Sequence, residues 1–235
     1  MIRAIAFDLD GTLIDTAPDL GACMNVVLNM IGRRPLPEHV VPQLIGAGIS
    51  SFVARALSYG SDSVQLTPAL RAGAEAVFRK LYSHHIFERS SVYPGVRHSL
   101  GALTASGTPL CCVTNKESSF AVRLLEAADL SHYFRHVLCA DLAEDRKPSP
   151  NLLVAACKRL EIEPCELVYV GDSRSDIIAA RAAGCAAVSV AYGYNNPHDL
   201  EALHPDELID NLAEISAFVC PHPTQTRGSI ENDVR

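Results

Sequence analysis

The sequence predicts an α/β protein: a mostly parallel sheet covered by helices on both faces, with a helical subdomain inserted after the first strand. Three observations carry that expectation. Short apolar runs recur at residues 2–9, 110–114, 137–140, 167–170 and 186–190, and stretches with helical spacing separate most of them. The runs are nearly continuous in apolar character, as strands buried on both faces are. From about Thr16 to Arg89, by contrast, no convincing strand interrupts the helical pattern.

Taken in order, the first run ends abruptly in Asp8-Leu9-Asp10-Gly11-Thr12. Acids there stand at the sheet edge, where open α/β sheets collect their ligands. In the segment that follows, Val53, Ala56 and Leu57 make a short helical stripe. Thr67 precedes Pro68 as an N-cap precedes N1, and Leu70, Ala74, Val77, Phe78, Leu81 and Tyr82 then mark one helical face. So long a segment exceeds a loop. It reads as a cap over residues 16–89, tethered at both ends beside Asp8 and suited to act as a lid. Residues 1–15 and 90–219 form the core. Within it, helices are expected at 97–105, 118–129, 150–160 and 175–183, each beside an apolar run. Residues 220–235 carry Pro221, Pro223 and Gly228 among polar residues, and are expected to be a poorly ordered tail.

Composition narrows the partners. With a formal net charge of −7, the chain has no basic surplus for a nucleic-acid backbone. A small phosphorylated metabolite needs only one or two local cations. No apolar run reaches the roughly 18 residues of a membrane span. Asp8 and Asp10 break the short N-terminal run, so a secretory signal is not indicated and a cytoplasmic location is expected. The 8 cysteines contain no C-x-x-C pair. Cys111, Cys112, Cys139, Cys157 and Cys185 lie in apolar or Ala-rich contexts and read as buried thiols. His84-His85 reads as a polar pair at a helix end.

Three later clusters follow apolar runs: Thr114-Asn115-Lys116, Arg146-Lys147-Pro148, and Gly171-Asp172-Ser173 with Asp176. Singly, each has an ordinary reading. Lys147 could be a solvated lysine, Thr114-Asn115 a plain turn, Ser173 or Asp172 a helix cap, and Asp176 a first-turn acid complementing the helix dipole. In a parallel sheet, however, all strand C-termini face one way, so the clusters converge on the Asp8 edge. One carboxylate there could attack an electrophile, and the other could move a proton.

These four clusters, in this order, resemble the motifs of the haloacid dehalogenase-like hydrolase superfamily, in particular its phosphatase branch. The resemblance implies a Rossmann-like core, a helical cap, Mg²⁺ and an aspartyl-phosphate intermediate. It casts Asp8 as nucleophile and Asp10 as the acid that serves the leaving group and then the attacking water. Mg²⁺ is expected on the carboxylates of Asp8 and Asp172 and the backbone carbonyl of Asp10, with Asp176 orienting or weakly ligating it. Lys147 is expected between nucleophile and phosphoryl oxygen. Thr114, and the backbone N–H of Asn115, are expected on the remaining oxygens. Thr12 is expected at the substrate site, fixing Asp10 through a hydrogen bond.

Asp10 favours phosphoryl transfer over dehalogenation, because a halide leaves without a proton. Leu13 to Leu20, Leu44-Ile45-Gly46-Ala47-Gly48 and Tyr192-Gly193-Tyr194-Asn195 resemble the phosphoglycolate phosphatase-like branch. That resemblance implies 2-phosphoglycolate as substrate. Gly46 and Gly48 would then bring backbone amides to its carboxylate, although a simple inter-helix turn accounts for them equally. A phosphosugar phosphatase or phosphomutase, or a catalytically idle regulatory domain, stays open, as does the choice between monomer and homodimer. Arg146 and the run Ser173-Arg174-Ser175 have no reading at this level.

Overall fold

The computed structural model describes residues 1–60, 66–195 and 197–219. The expected tail, with Cys220, lies outside the described residues.

Six parallel strands form the main sheet: β1 (Ala4–Phe7), β4 (Leu110–Thr114), β5 (His136–Cys139), β6 (Leu167–Gly171), β7 (Ala186–Val190) and β8 (Glu207–Ile209), in the order β5-β4-β1-β6-β7-β8. The first five match the apolar runs. The sixth, three residues pairing on the outer side of β7, was not anticipated. Its exposed Glu207 and short length hide it from any apolar count.

Alternation along each strand divides the core into two layers. Ile5, Phe7, Cys112, Val168 and Val170 pack with Leu100 of α5 (Val96–Ala105) and Leu124 of α6 (Ser118–Ala127). Ala4, Ala6, Cys111, Val113, Leu167 and Tyr169 pack with α7 (Asn151–Leu160) and α8 (Arg174–Ala183). The helices therefore cover both faces, as the continuous apolar strands require. β1 lies centrally between β4 and β6. The chain leaves it first to one side and later to the other, so Asp8 stands where the strand order reverses.

The inserted segment is helical: α1 (Ala17–Met30), α2 (Val41–Leu44), α3 (Ile49–Ser58) and α4 (Pro68–His84). Thr67 caps α4, its hydroxyl accepting from Leu70 N at 3.2 Å. The buried face of α4 is narrower than expected. Ala74, Phe78 and Tyr82, four residues apart, are buried, whereas Val77 is 39% exposed. Leu20, Met24, Phe52, Phe78 and Tyr82 share one apolar cluster with Ile5 and Phe7.

Two tethers fix the insert. β2 (Ile14–Asp15) pairs antiparallel with β3 (Ser91–Val92), joining the outgoing and returning chain. Buried Asp19 in α1 accepts from the backbone N–H groups of Glu88, Arg89 and Ser90 at 2.9–3.1 Å, and from the Ser90 hydroxyl. The seven cysteines described are free thiols; Cys23, Cys111, Cys112, Cys157 and Cys185 are buried, Cys139 half-buried and Cys165 exposed. His84 ends α4 and His85 caps it. Among the described residues no helix is long and apolar enough to cross a membrane.

Candidate active site

At the C-terminal edge of β1 the chain must turn beneath the insert. Gly11 makes that turn with φ +86°, and a Cβ there would strike the Asp172 carboxylate. Gly193, in the loop after β7, presses on the same carboxylate from another side. Asp172 follows β6 and is thus clamped: Thr12 Oγ1 donates to its Oδ1 at 3.1 Å and Tyr194 N to its Oδ2 at 2.8 Å.

Asp176 enters from the first turn of α8. It serves the helix start and also faces Lys147. Ser173 N–H and the Ser173 hydroxyl donate to its Oδ2, making a capping box, while its Oδ1 lies 2.7 Å from Lys147 Nζ. Lys147 also lies 2.8 Å from Asp8 Oδ1 and donates to the Tyr169 hydroxyl at 2.7 Å. Its peptide bond to Pro148 is cis.

Asp8, Asp172 and Asp176 are buried, with ligand oxygens within 4.8 Å of one another. Lys147 brings one ammonium to two of these acids, Asp8 and Asp176. Burial raises the Asp8 carboxyl to about 6, against the pull of Lys147 and with a push from Asp176. Burial, then repulsion from Asp176 and Asp8, raises Asp172 well above the carboxylate range. For Lys147, burial opposes the charge, but Asp176 and Asp8 outweigh it and push the ammonium's pKa up. Such a surplus of buried negative charge, presented by hard oxygen donors, suits a small divalent cation. The residues present therefore fit the expected metal.

Above this cluster opens a cleft of about 420 Å³, its open mouth included. Asp8, Asp10, Thr114, Asn115 and Lys116 line it from the core, and Leu20, Ile45, Gly46, Gly48, Ile49 and Phe52 from the insert. The two halves are latched together. Arg79 of α4 pairs with Glu117 at 2.5 and 2.7 Å, and the Tyr82 and Phe120 rings lie 5.3 Å apart. Asn115 Nδ2 donates to Gly46 O at 2.8 Å and to Lys147 O at 3.1 Å, and its Oδ1 accepts from Lys147 N at 2.7 Å. The Asn115 side chain is therefore a bracket between β4, the Lys147 loop and the cap.

One expectation is corrected. Thr12 does not bond Asp10. The turn at Gly11 sends its fully buried side chain beneath Asp172, away from the cleft lining. Thr16 takes the expected place, its hydroxyl donating to Asp10 Oδ1 at 2.7 Å. Lys116, given no role from sequence, also reaches this acid: Nζ donates to both oxygens of Asp10 at 3.0 Å. The Lys that follows Thr114-Asn115 was visible in the sequence, but nothing local tied it to Asp10. Arg146 packs its guanidinium under the cap loop, where a Cβ on Gly48 would meet it at 3.3 Å.

A parallel α/β sheet with acids at its reversal point, a buried ammonium and a helical roof has the makings of a phosphoryl-transfer site in a hydrolase. The haloacid dehalogenase-like hydrolase model matches residues 5–190, and the chain belongs to that family. It is 40% identical over 218 residues to a phosphoglycolate phosphatase of Nitrosospira multiformis, covering 93% of this chain and 96% of the relative. It is 39% identical over 219 residues to a phosphoglycolate phosphatase of Thiobacillus denitrificans, covering 93% and 96%. The crystal structure of a predicted phosphoglycolate phosphatase from Haemophilus somnus superposes with a TM-score of 0.87 at 32% identity, covering 92% of this chain and 97% of that one.

Proposed function

We propose that the protein is a Mg²⁺-dependent phosphomonoesterase acting on a small anionic metabolite, with 2-phosphoglycolate as substrate. The observation that carries the reaction class is the grouping of Asp8, Asp10, Lys147, Asp172 and Asp176 around one sheet edge, under a small latched cleft. The relatives named phosphoglycolate phosphatase support the choice of ester.

Asp8 lines the cleft at the end of β1 and is the nucleophile. Its carboxylate attacks phosphorus, and the resulting aspartyl-phosphate divides hydrolysis into two easier steps. Asp8, Asp172, Asp176 and the Asp10 carbonyl would hold Mg²⁺, which would supply charge neutralisation for an anion meeting a phosphate dianion. Lys147, fixed between Asp8 and Asp176, holds a phosphoryl oxygen close to the nucleophile. Thr114 lines the cleft and, with the backbone N–H of Asn115, receives the other oxygens. Asp10, oriented by Thr16, gives its proton to the departing alkoxide and then takes one from the hydrolytic water. The roof that Leu20, Ile45, Ile49 and Phe52 form over the cleft limits bulk water, while Gly46 and Gly48 place backbone at the small end of the substrate.

The test is phosphate release from a panel of phosphorylated metabolites, with and without Mg²⁺. Metal-dependent release, fastest from 2-phosphoglycolate, is expected. Isomerised product without free phosphate would make it a mutase, and no turnover of any ester would make it an idle domain.

A further inference from the structure

Resting on the phosphatase reading above, we propose that Lys116 is a specificity-determining residue: its ammonium reads a second anionic group on the substrate, close to the ester. Three observations lead there. Among the described residues lining the cleft, Lys116 is the one cation. The substrate's phosphoryl end already has Lys147, whose ammonium is engaged by Asp8 and Asp176 behind the cleft floor. A carboxylate at the other end needs a charge of its own, and the apolar roof of Leu20, Ile45 and Phe52 offers none.

Lys116 is also held in a way that suits this task. Its side chain is only 3% exposed, so an unpaired ammonium there would be costly. In the protein alone it rests on Asp10, at 3.0 Å from both oxygens, and over the ring of Tyr82 at 5.0 Å. Asp10 does not depend on it for placement, because the Thr16 hydroxyl holds that carboxylate independently at 2.7 Å. An incoming carboxylate can therefore share or take over the ammonium without dislodging the acid. Tyr82 belongs to α4 of the cap, so the cation is aligned from above as well as from the core.

The experiment compares kcat/KM for 2-phosphoglycolate and ethyl phosphate, which differ by a carboxylate against a methyl. The wild type is expected to prefer the carboxylate ester. Lys116→Met is expected to cut the ratio of the two by roughly 10- to 100-fold, the usual worth of a desolvated charge-assisted hydrogen bond. Lys116→Arg, which keeps the charge, is expected to restore part of the ratio. Equal losses on both esters would show that Lys116 serves only to place Asp10, and would overturn the proposal alone. Failure of the wild type to release phosphate from either ester would overturn the phosphatase reading itself. Should Lys116→Met not fold, competitive inhibition of the wild type by phosphonoacetate and ethylphosphonate decides. Phosphonoacetate is expected to inhibit at a roughly 10-fold lower concentration, and equal inhibition overturns the proposal.

Discussion

Asp8 and Lys147 show how the same neighbours create chemistry and strain. Lys147 pairs with Asp8 and Asp176 of the three buried acids, so Lys147→Met leaves their repulsion uncompensated. Removing one partner from a buried ion cluster costs about 3–5 kcal/mol, and a matching loss of stability in chemical denaturation is expected, together with loss of turnover. Asp8→Asn acts oppositely on stability. It is nearly isosteric and removes one of the charges that push Asp172 upward, so turnover should vanish while the metal-free protein melts no lower than the wild type. Thermal unfolding and phosphate release on the same preparations check both variants. Wild-type-like turnover in Asp8→Asn would remove it as the nucleophile. These residues could be read from sequence because each follows an apolar run, and the end of a buried strand is fixed by simple alternation. Lys116 could not be read that way. Its partner Asp10 lies 106 positions away, and its ring contact comes from a helix of the insert. Thr12 was expected on Asp10 and Thr16 had no expected partner; the turn at Gly11 decides which hydroxyl faces which acid.

Elements of ordinary length were recoverable for the same reason, and the short ones were not. β2 and β3 have two residues each, too few for any period to show, yet they bring together the two ends of the insert. The loop after β7, noticed in the sequence only by resemblance, carried contacts that no pattern showed. Tyr194 there accepts from Thr16 N at 2.6 Å and Ala17 N at 2.9 Å, beside Asp15 Oδ1 at 2.9 Å, while its own N–H donates to Asp172. One residue thus joins the start of α1 to an acid of the buried carboxylate cluster. Tyr194→Phe keeps the backbone bond to Asp172 but strands the Thr16 N–H at the start of α1, while Ala17 N keeps Asp15 Oδ1 at 3.2 Å. A loss of about 1–3 kcal/mol is expected, measured by urea unfolding, with saturated turnover falling far less than in Asp8→Asn. A fall in turnover as deep as that of Asp8→Asn would mean that the hydroxyl takes part in the reaction.

For the whole molecule, the buried acids tie stability to pH and to metal. Burial and mutual repulsion hold Asp8 at about 6, above its ordinary 3.8, and push Asp172 up as well. The folded metal-free protein therefore keeps protons that the unfolded chain has already released. For acids raised in this way, the stabilisation is complete below the unfolded pKa and is lost as pH rises through the folded one. The metal-free protein should consequently melt at a higher temperature at pH 5 than at pH 8. A divalent cation reverses the preference, because it binds the ionised acids and must displace protons to do so. Mg²⁺ at about 100 times its dissociation constant contributes roughly 2.7 kcal/mol, or roughly 5–10 °C for a domain of this size. That gain is expected near pH 8 and should shrink at pH 5, where protons compete for the same oxygens. Melting curves in EDTA and in Mg²⁺ at the two pH values check this. An equal shift at both would mean that the cation binds elsewhere.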